Sequence, residues 1–218
     1  MSSEPLPTGN APAPNFFRDQ VYVTAKTVPW DIGGPQPALS GVRDIFRGRV
    51  FDVGSGTGDN AIWLSGLDGV SDVTAVDLSP DAVALAKGRQ AKAAQCAPLS
   101  FTVGDVFALP DEMTGFDVLL DSAVFHCIGD DDAQRRYLAA VTPRIKLGGR
   151  AVCFVFSDRN GDPWVGPRRI SEAHARAMWT QAGWRVDSLD MEARYKDAMG
   201  RNGGLGGHAL LMTATRMA

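Results

Sequence analysis

Apolar positions along this chain follow two periods that take turns. Short runs rich in β-branched and aromatic residues predict strands at Val50–Val53, Val73–Asp77, Leu99–Gly104, Phe116–Ser122 and Arg150–Ser157. Between them, apolar residues three and four apart predict helices. One helix starts near Asp59. The next opens at Ser79-Pro80-Asp81, where a serine N-cap precedes proline at the first helical position, and runs to Gln95. Asp130 to Asp132 place acids in the first turn of a third helix, which buries Ala133, Tyr137, Leu138, Val141 and Ile145 and stops at Gly148-Gly149. Ser171 caps a fourth helix ending at Ala182, and the runs Trp184–Met191 and His208–Thr215 read as a closing strand pair. Alternation of this kind predicts an α/β, doubly wound sheet of seven mostly parallel strands.

The flanking segments break this pattern. Residues 1–14 hold four prolines and little apolar surface, so a disordered tail is expected. Phe16, Phe17, Val21 and Tyr22 fall at helical spacing and predict a short amphipathic helix near the carboxyl edge of the sheet. Pro29-Trp-Asp-Ile-Gly-Gly-Pro-Gln-Pro37 is a rigid loop carrying a tryptophan, the make-up of a binding element. A chain of 218 residues suits one domain, 15–218 after the tail. Its net charge of −3 and lack of basic runs point away from nucleic acid and anionic membranes. No apolar run approaches the roughly 18 residues of a membrane span. Cys96, Cys127 and Cys153 are odd in number and lack C-x-x-C spacing, as expected of reduced thiols in a cytoplasm.

The chemistry gathers after the first strand, at Asp52-Val-Gly-Ser-Gly-Thr-Gly58. Three glycines let a ligand approach the backbone with no Cβ in the way, and the following helix aims its free N–H groups over the turn. The spacing is G-x-G-x-G, whereas a dinucleotide turn uses G-x-G-x-x-G. Asp52, two residues before the first glycine, would repel a pyrophosphate and attract a cation. Asp77 ends the next strand, about 20 residues on, where a carboxylate meets ribose hydroxyls. This set favours S-adenosylmethionine, which carries a sulfonium and an ammonium group.

On those residues the sequence resembles the class I S-adenosylmethionine-dependent methyltransferases, a Rossmann-like fold. The wording Pro-Trp-Asp-x-Gly-x-Pro-x-Pro is similar to the small-molecule branch that includes thiol, halide and thiopurine methyltransferases and mycobacterial heterocyclic toxin methyltransferases. The resemblance implies a cofactor site of Trp30, Asp52, Gly54, Ser55, Gly56, Thr57, Gly58, Asp77, Leu78, Asp105, Val106, Asp121 and Ser122. In it, Asp105 accepts from the adenine amino group and Val106 packs on the ring. Residues 15–47 form an N-terminal helical lid and 157–170 an acceptor-side loop. The acceptor then meets Trp30, Phe125, His126, Trp164 and Arg168, with Arg169 beside them. His126, near neutral in its ordinary range, is the candidate base, and Cys127 reads as a small buried hydrophobe. Asp121, Asp158 and Asn160 imitate a Mg²⁺ set, but Arg159 intervenes and no metal is expected. Without Asn-Pro-Pro-Tyr, amino methylation of adenine, cytosine or glutamine is not expected.

The expected function is methyl transfer to the O or N of a small aromatic or heterocyclic molecule, phenol-like or quinolone-like, as in detoxification. Thiol, thiopurine or halide methylation is the alternative within enzymes, and a non-catalytic cofactor-binding protein the alternative outside them. The expected partner is a small-molecule acceptor, and the expected assembly a monomer or homodimer.

Overall fold

The computed structural model describes residues 28, 30–94, 97–161, 167–198 and 205–218. The helix expected at Phe16–Tyr22 and the acceptor residue Trp164 lie outside this set. In chain order the elements are α1 (Pro37–Ser40), β1 (Gly48–Val53), α2 (Asp59–Ser65), β2 (Val70–Asp77), α3 (Pro80–Gln90), β3 (Leu99–Val103), β4 (Phe116–Ser122), α4 (Asp131–Val141), β5 (Ile145–Phe156), α5 (Glu172–Gln181), β6 (Trp184–Asp190), β7 (Arg194–Lys196) and β8 (Leu205–Arg216). The sheet runs β3-β2-β1-β4-β5-β8-β6, with β7 paired to β8. Strands β1 to β5 are parallel, and β8 enters antiparallel between β5 and β6. This sheet has eight strands among the described residues, where seven were expected. The addition, β7, is too short to show a period of its own.

Caps set the helix starts. The Ser79, Asp130 and Ser171 side chains accept from the N–H groups of Ala82, Ala133 and His174, each three residues on, and each satisfies a donor that the first turn cannot use. The stops differ from expectation. Helix α3 ends at Gln90 and not Gln95. Helix α4 ends at Val141, because Pro143 brings a 3-10 turn over Thr142–Arg144 and has no N–H to continue an α-helix. Ile145 therefore opens β5 and does not close the helix, so β5 begins before Arg150.

Each face of the sheet buries its own core. One holds Phe51, Phe116, Phe125, Tyr137, Trp179 and Trp184. The other holds Leu39, Leu64, Val83, Phe101 and Phe154. Trp184 is buried and donates its indole N–H to Thr142 Oγ1 at 2.8 Å. Thr142→Val keeps the shape and strands that donor, so it is expected to cost about 1–2 kcal/mol in urea unfolding. An unchanged midpoint and slope would show that the hydrogen bond contributes nothing.

Candidate active site

The carboxyl ends of β1, β2, β4 and β5 share one rim, where open α/β sheets bind ligands. The turn after β1 is drawn against β2: Gly54 and Ser55 both donate to the Val76 carbonyl, at 2.7 and 3.0 Å. Gly54 has φ 66°, and a Cβ there would collide with Val124 beyond β4. The glycine turn and the end of β4 are thus in direct contact, and only glycine fits between them.

Asp52 lies in this contact region and is 1% exposed, with neither carboxylate oxygen hydrogen-bonded. Ser55 Oγ is likewise buried without a partner. Burial, then the charges of Asp77 and Asp121, raise the Asp52 carboxyl well above its ordinary range. A buried orphan acid with two further acids nearby is costly alone and suited to a cationic ligand. Asp77 differs. Its oxygens accept from Gly56 N–H and Ser79 N–H, both at 2.8 Å, so it braces the glycine turn against the start of α3. Burial raises it while those two amides oppose the rise. Each oxygen keeps a second lone pair for a hydroxyl. Leu78 is half-buried beside it. Asp105 is exposed and accepts from Phe107 N–H at 2.9 Å, capping the 3-10 turn Val106–Ala108, with Val106 half-buried.

At the end of β4 the structure departs from the expected roles. Asp121 is fully buried and spent inside the protein. It accepts from Val124 N–H at 3.0 Å, Phe125 N–H at 3.1 Å and Tyr137 O–H at 2.6 Å. Burial pushes it up to about 6, against those three donors. It holds the turn after Ser122 rather than offering oxygens to a cofactor or metal. Among the described residues no cluster of His, Cys, Asp and Glu has metal-binding geometry. Ala123 sits at φ 74°, a strained conformation for a residue with a side chain, and its N–H is held by the Phe154 carbonyl at 2.9 Å. That bend sends Phe125 into the core, fully buried against Tyr137, His174 and Trp179. Phe125 is therefore a core residue, not a wall of the acceptor site.

His126 goes the other way, toward β5. It stacks on Phe156 with centroids 5.0 Å apart, and its Nδ1 accepts from Phe156 N–H at 2.7 Å. Burial lowers its pKa to about 3. Phe156 also packs on Tyr195 of β7, at 4.6 Å, so the added strand extends an aromatic wall that starts at His126. Cys127, half-buried where a buried hydrophobe was expected, donates its thiol to the Ala123 carbonyl, and desolvation pushes that thiol upward. Arg168 pairs with Asp131 at 2.6 Å and Gln134 at 3.3 Å, tying the loop after β5 to α4.

Arg89, in the last turn of α3, has no motif to announce it. Its guanidinium grips both Asp31 oxygens at 3.0 and 2.5 Å, Thr57 Oγ1 at 3.0 Å and Asp59 at 2.7 Å. One side chain thereby joins the Pro29–Pro37 segment, the glycine turn and the start of α2. Gln36 fastens the other end of that segment, exchanging two hydrogen bonds with the Lys196 backbone of β7 at 2.7 and 3.2 Å. Trp30, 38% exposed, stands one residue before the Asp31 fastening.

This strand order, with a three-glycine turn after β1 and an orphan acid beneath it, defines the class I methyltransferase fold. Residues 50–149 match the family model described as a methyltransferase domain. The chain is 26% identical over 179 residues to the 2-heptyl-1-hydroxyquinolin-4(1H)-one methyltransferase of Mycobacteroides abscessus, across 79% of this chain and 75% of that protein. A structure solved in work on conversion of a disulfide bond into a thioacetal group during echinomycin biosynthesis is 28% identical, with a TM-score of 0.75 over 93% of this chain and 90% of that one. The Burkholderia thailandensis 1,6-didemethyltoxoflavin-N1-methyltransferase, solved with 1,6-didemethyltoxoflavin and S-adenosylhomocysteine, shares the fold at 24% identity. Its TM-score is 0.61, over 84% of this chain and 79% of that one. The chain shares the Rossmann-like fold of the S-adenosylmethionine-dependent methyltransferases, and its residues 50–149 match a methyltransferase domain. Among the described residues no helix is long and apolar enough to cross a membrane.

Proposed function

We propose that this protein methylates the O or N of a small, planar aromatic or heterocyclic molecule in the cytoplasm, a reaction that would detoxify such a compound. The observation that carries the reading is a glycine turn whose buried acid lacks a partner, packed against Val124 two residues before His126, whose ring stacks on the half-buried Phe156. The cofactor, when bound, supplies a methyl group on a positively charged sulfur, open to in-line displacement. The chain's own residues then hold and align. Asp52 and Ser55 meet the cationic part, the glycine backbone lies along it, and Asp77 receives ribose hydroxyls. Trp30, Gly54, Gly56, Thr57, Gly58, Leu78, Asp105, Val106 and Ser122 complete the cofactor's surroundings. Phe156, half-buried and backed by Tyr195, provides a flat surface on which a planar acceptor stacks. Trp30 and Arg168 belong to the same acceptor side. Such positioning is the main contribution a protein makes to a displacement at an already activated carbon.

The M. abscessus relative acts on a hydroxyquinolone, which supports the heterocyclic acceptor. The 28% identical structure comes from sulfur chemistry, which favours a thiol as the second reading. A panel of phenols, hydroxyquinolones, thiols and iodide, incubated with methyl-labelled cofactor, separates them. Label is expected on the hydroxyquinolones and phenols. Transfer to thiols or iodide alone would establish the second reading, and binding of cofactor with no transfer to any member would remove the first.

A further inference from the structure

The fate of the acceptor's proton follows from how His126 is held. A backbone amide only donates, so the Phe156 N–H at 2.7 Å requires Nδ1 of His126 to present its lone pair. The neutral ring must then carry its proton on Nε2. Among the described residues nothing accepts from that Nε2–H. The ring has little freedom to change this: it is 2% exposed, stacked on Phe156, and its own carbonyl is held by the Arg168 N–H at 2.9 Å. Burial also keeps it from taking a second proton. His126 therefore has an N–H to give a ligand and no lone pair with which to take a proton.

The groups on the elements around it are equally committed. Asp121 accepts from two amides and from the Tyr137 hydroxyl, which is itself fully buried. The Tyr195 hydroxyl donates to the Phe154 carbonyl at 2.7 Å, and the Cys127 thiol to the Ala123 carbonyl. Arg168 is paired with Asp131. His174 donates its Nε2–H to the Gln134 side-chain oxygen at 2.6 Å and packs on the core residue Phe125, so the lone pair on its Nδ1 belongs to a ring on the core side of the bend and not to the His126–Phe156 stack.

We propose that the acceptor arrives with its nucleophilic atom already ionised, as an acidic ring hydroxyl, an N-hydroxy heterocycle or a thiolate, and that the His126 Nε2–H receives this anion as a hydrogen-bond donor. The proposal rests on the methyltransferase reading above. Its balance is simple. A lone pair of the anion forms the new bond to the methyl carbon as the carbon–sulfur bond of the cofactor breaks. The negative charge of the acceptor and the positive charge of the sulfur cancel, and no proton remains to be placed. His126 thus selects for acidic acceptors by offering no base to the others.

The test uses the full chain and one aromatic scaffold carrying either OH or SH, substituted to span several units of acidity. Cofactor binding and circular dichroism first establish that His126→Gln and His126→Phe are folded and loaded. The dependence of kcat/KM on pH is then followed for each acceptor. The expected rising limb lies at each acceptor's own ionisation and moves with it through the series, in the parent and in both variants. His126→Gln, which keeps an N–H but not the ring's reach, should lose activity yet retain clearly more of it than His126→Phe. His126→Phe should lose roughly ten- to a hundredfold, the usual worth of a hydrogen bond to a charged group. A limb fixed at one pH for all acceptors, and lost in His126→Gln, would make His126 the base and overturn the proposal. Failure to methylate any member while the cofactor binds would instead overturn the aromatic-acceptor reading beneath it.

Discussion

Replacing Asp52 with asparagine is expected to weaken S-adenosylmethionine binding by about 2–3 kcal/mol, roughly 30- to 150-fold, because the cation loses a charged partner in a buried site. The same change should make the cofactor-free protein more stable, and this opposite sign is what marks the residue as functional. The physical cause is the orphan carboxyl. Burial and the neighbouring Asp77 and Asp121 raise it well above the ordinary 3.8. Its folded form thus holds a proton to higher pH than the unfolded chain does. The stability it contributes is complete below the unfolded value and lost as pH climbs through the raised folded value. A bound cation favours the ionised form, so cofactor affinity should rise with pH across that same window and level off above it. Asparagine cannot ionise, so the variant should show a flat affinity profile and a higher melting temperature at pH above the window. Calorimetry and thermal melts over a pH series read both. Parallel affinity profiles in parent and variant would remove Asp52 from the cofactor site.

Arg89→Ala should loosen the cofactor about tenfold, chiefly by faster dissociation. The guanidinium stands between Asp31 and Asp59, and its loss leaves two part-buried carboxylates facing one another across Thr57. Burial already raises Asp59, and Arg89 is what opposes that rise. Because the guanidinium is part-exposed, about 1–2 kcal/mol is a fitting scale rather than the cost of a fully buried pair. Arg89→Lys keeps the charge but not the planar fork that reaches four acceptor atoms, so it should recover only part of the loss. Stopped-flow release of S-adenosylhomocysteine measures the rate, and limited proteolysis near Trp30 reports whether the Pro29–Pro37 segment has come free. If Asp31→Ala and Arg89→Ala add without coupling, the two groups do not act as one fastening.

Residues near one another in sequence announced themselves. The strand order's raw material, the alternation of β-branched runs with helical spacing, was readable because periodicity is local, and each cap lies three residues from the N–H it satisfies. The glycine turn was readable for the same reason: positive φ at Gly54, Gly56 and Gly58 is a property of one short stretch. Asp52 beside that turn already implied a cationic ligand, and the sequence alone thereby determined the fold class and the kind of cofactor. It misplaced the end of α4 by following an apolar spacing through Pro143, although proline's missing N–H was there to be read.

What the sequence left undecided was where each polar group spends its hydrogen bonds, since those partners come from distant parts of the chain. Asp121 reads as a free acid at a strand end, and only the packing of α4 brings Tyr137 onto it. Phe125 and His126 are neighbours, yet the strained bend at Ala123 sends one into the core and the other to Phe156. Arg89 reads as an ordinary basic residue in a last helical turn until the fold carries Asp31, Thr57 and Asp59 to it. The tautomer of His126, on which its chemistry turns, depends on one amide of β5 thirty residues away. Hydrophobic pattern is summed over many positions and survives local error, whereas a single hydrogen bond is made or missed within an ångström. For that reason tertiary structure alone decided the roles at the site.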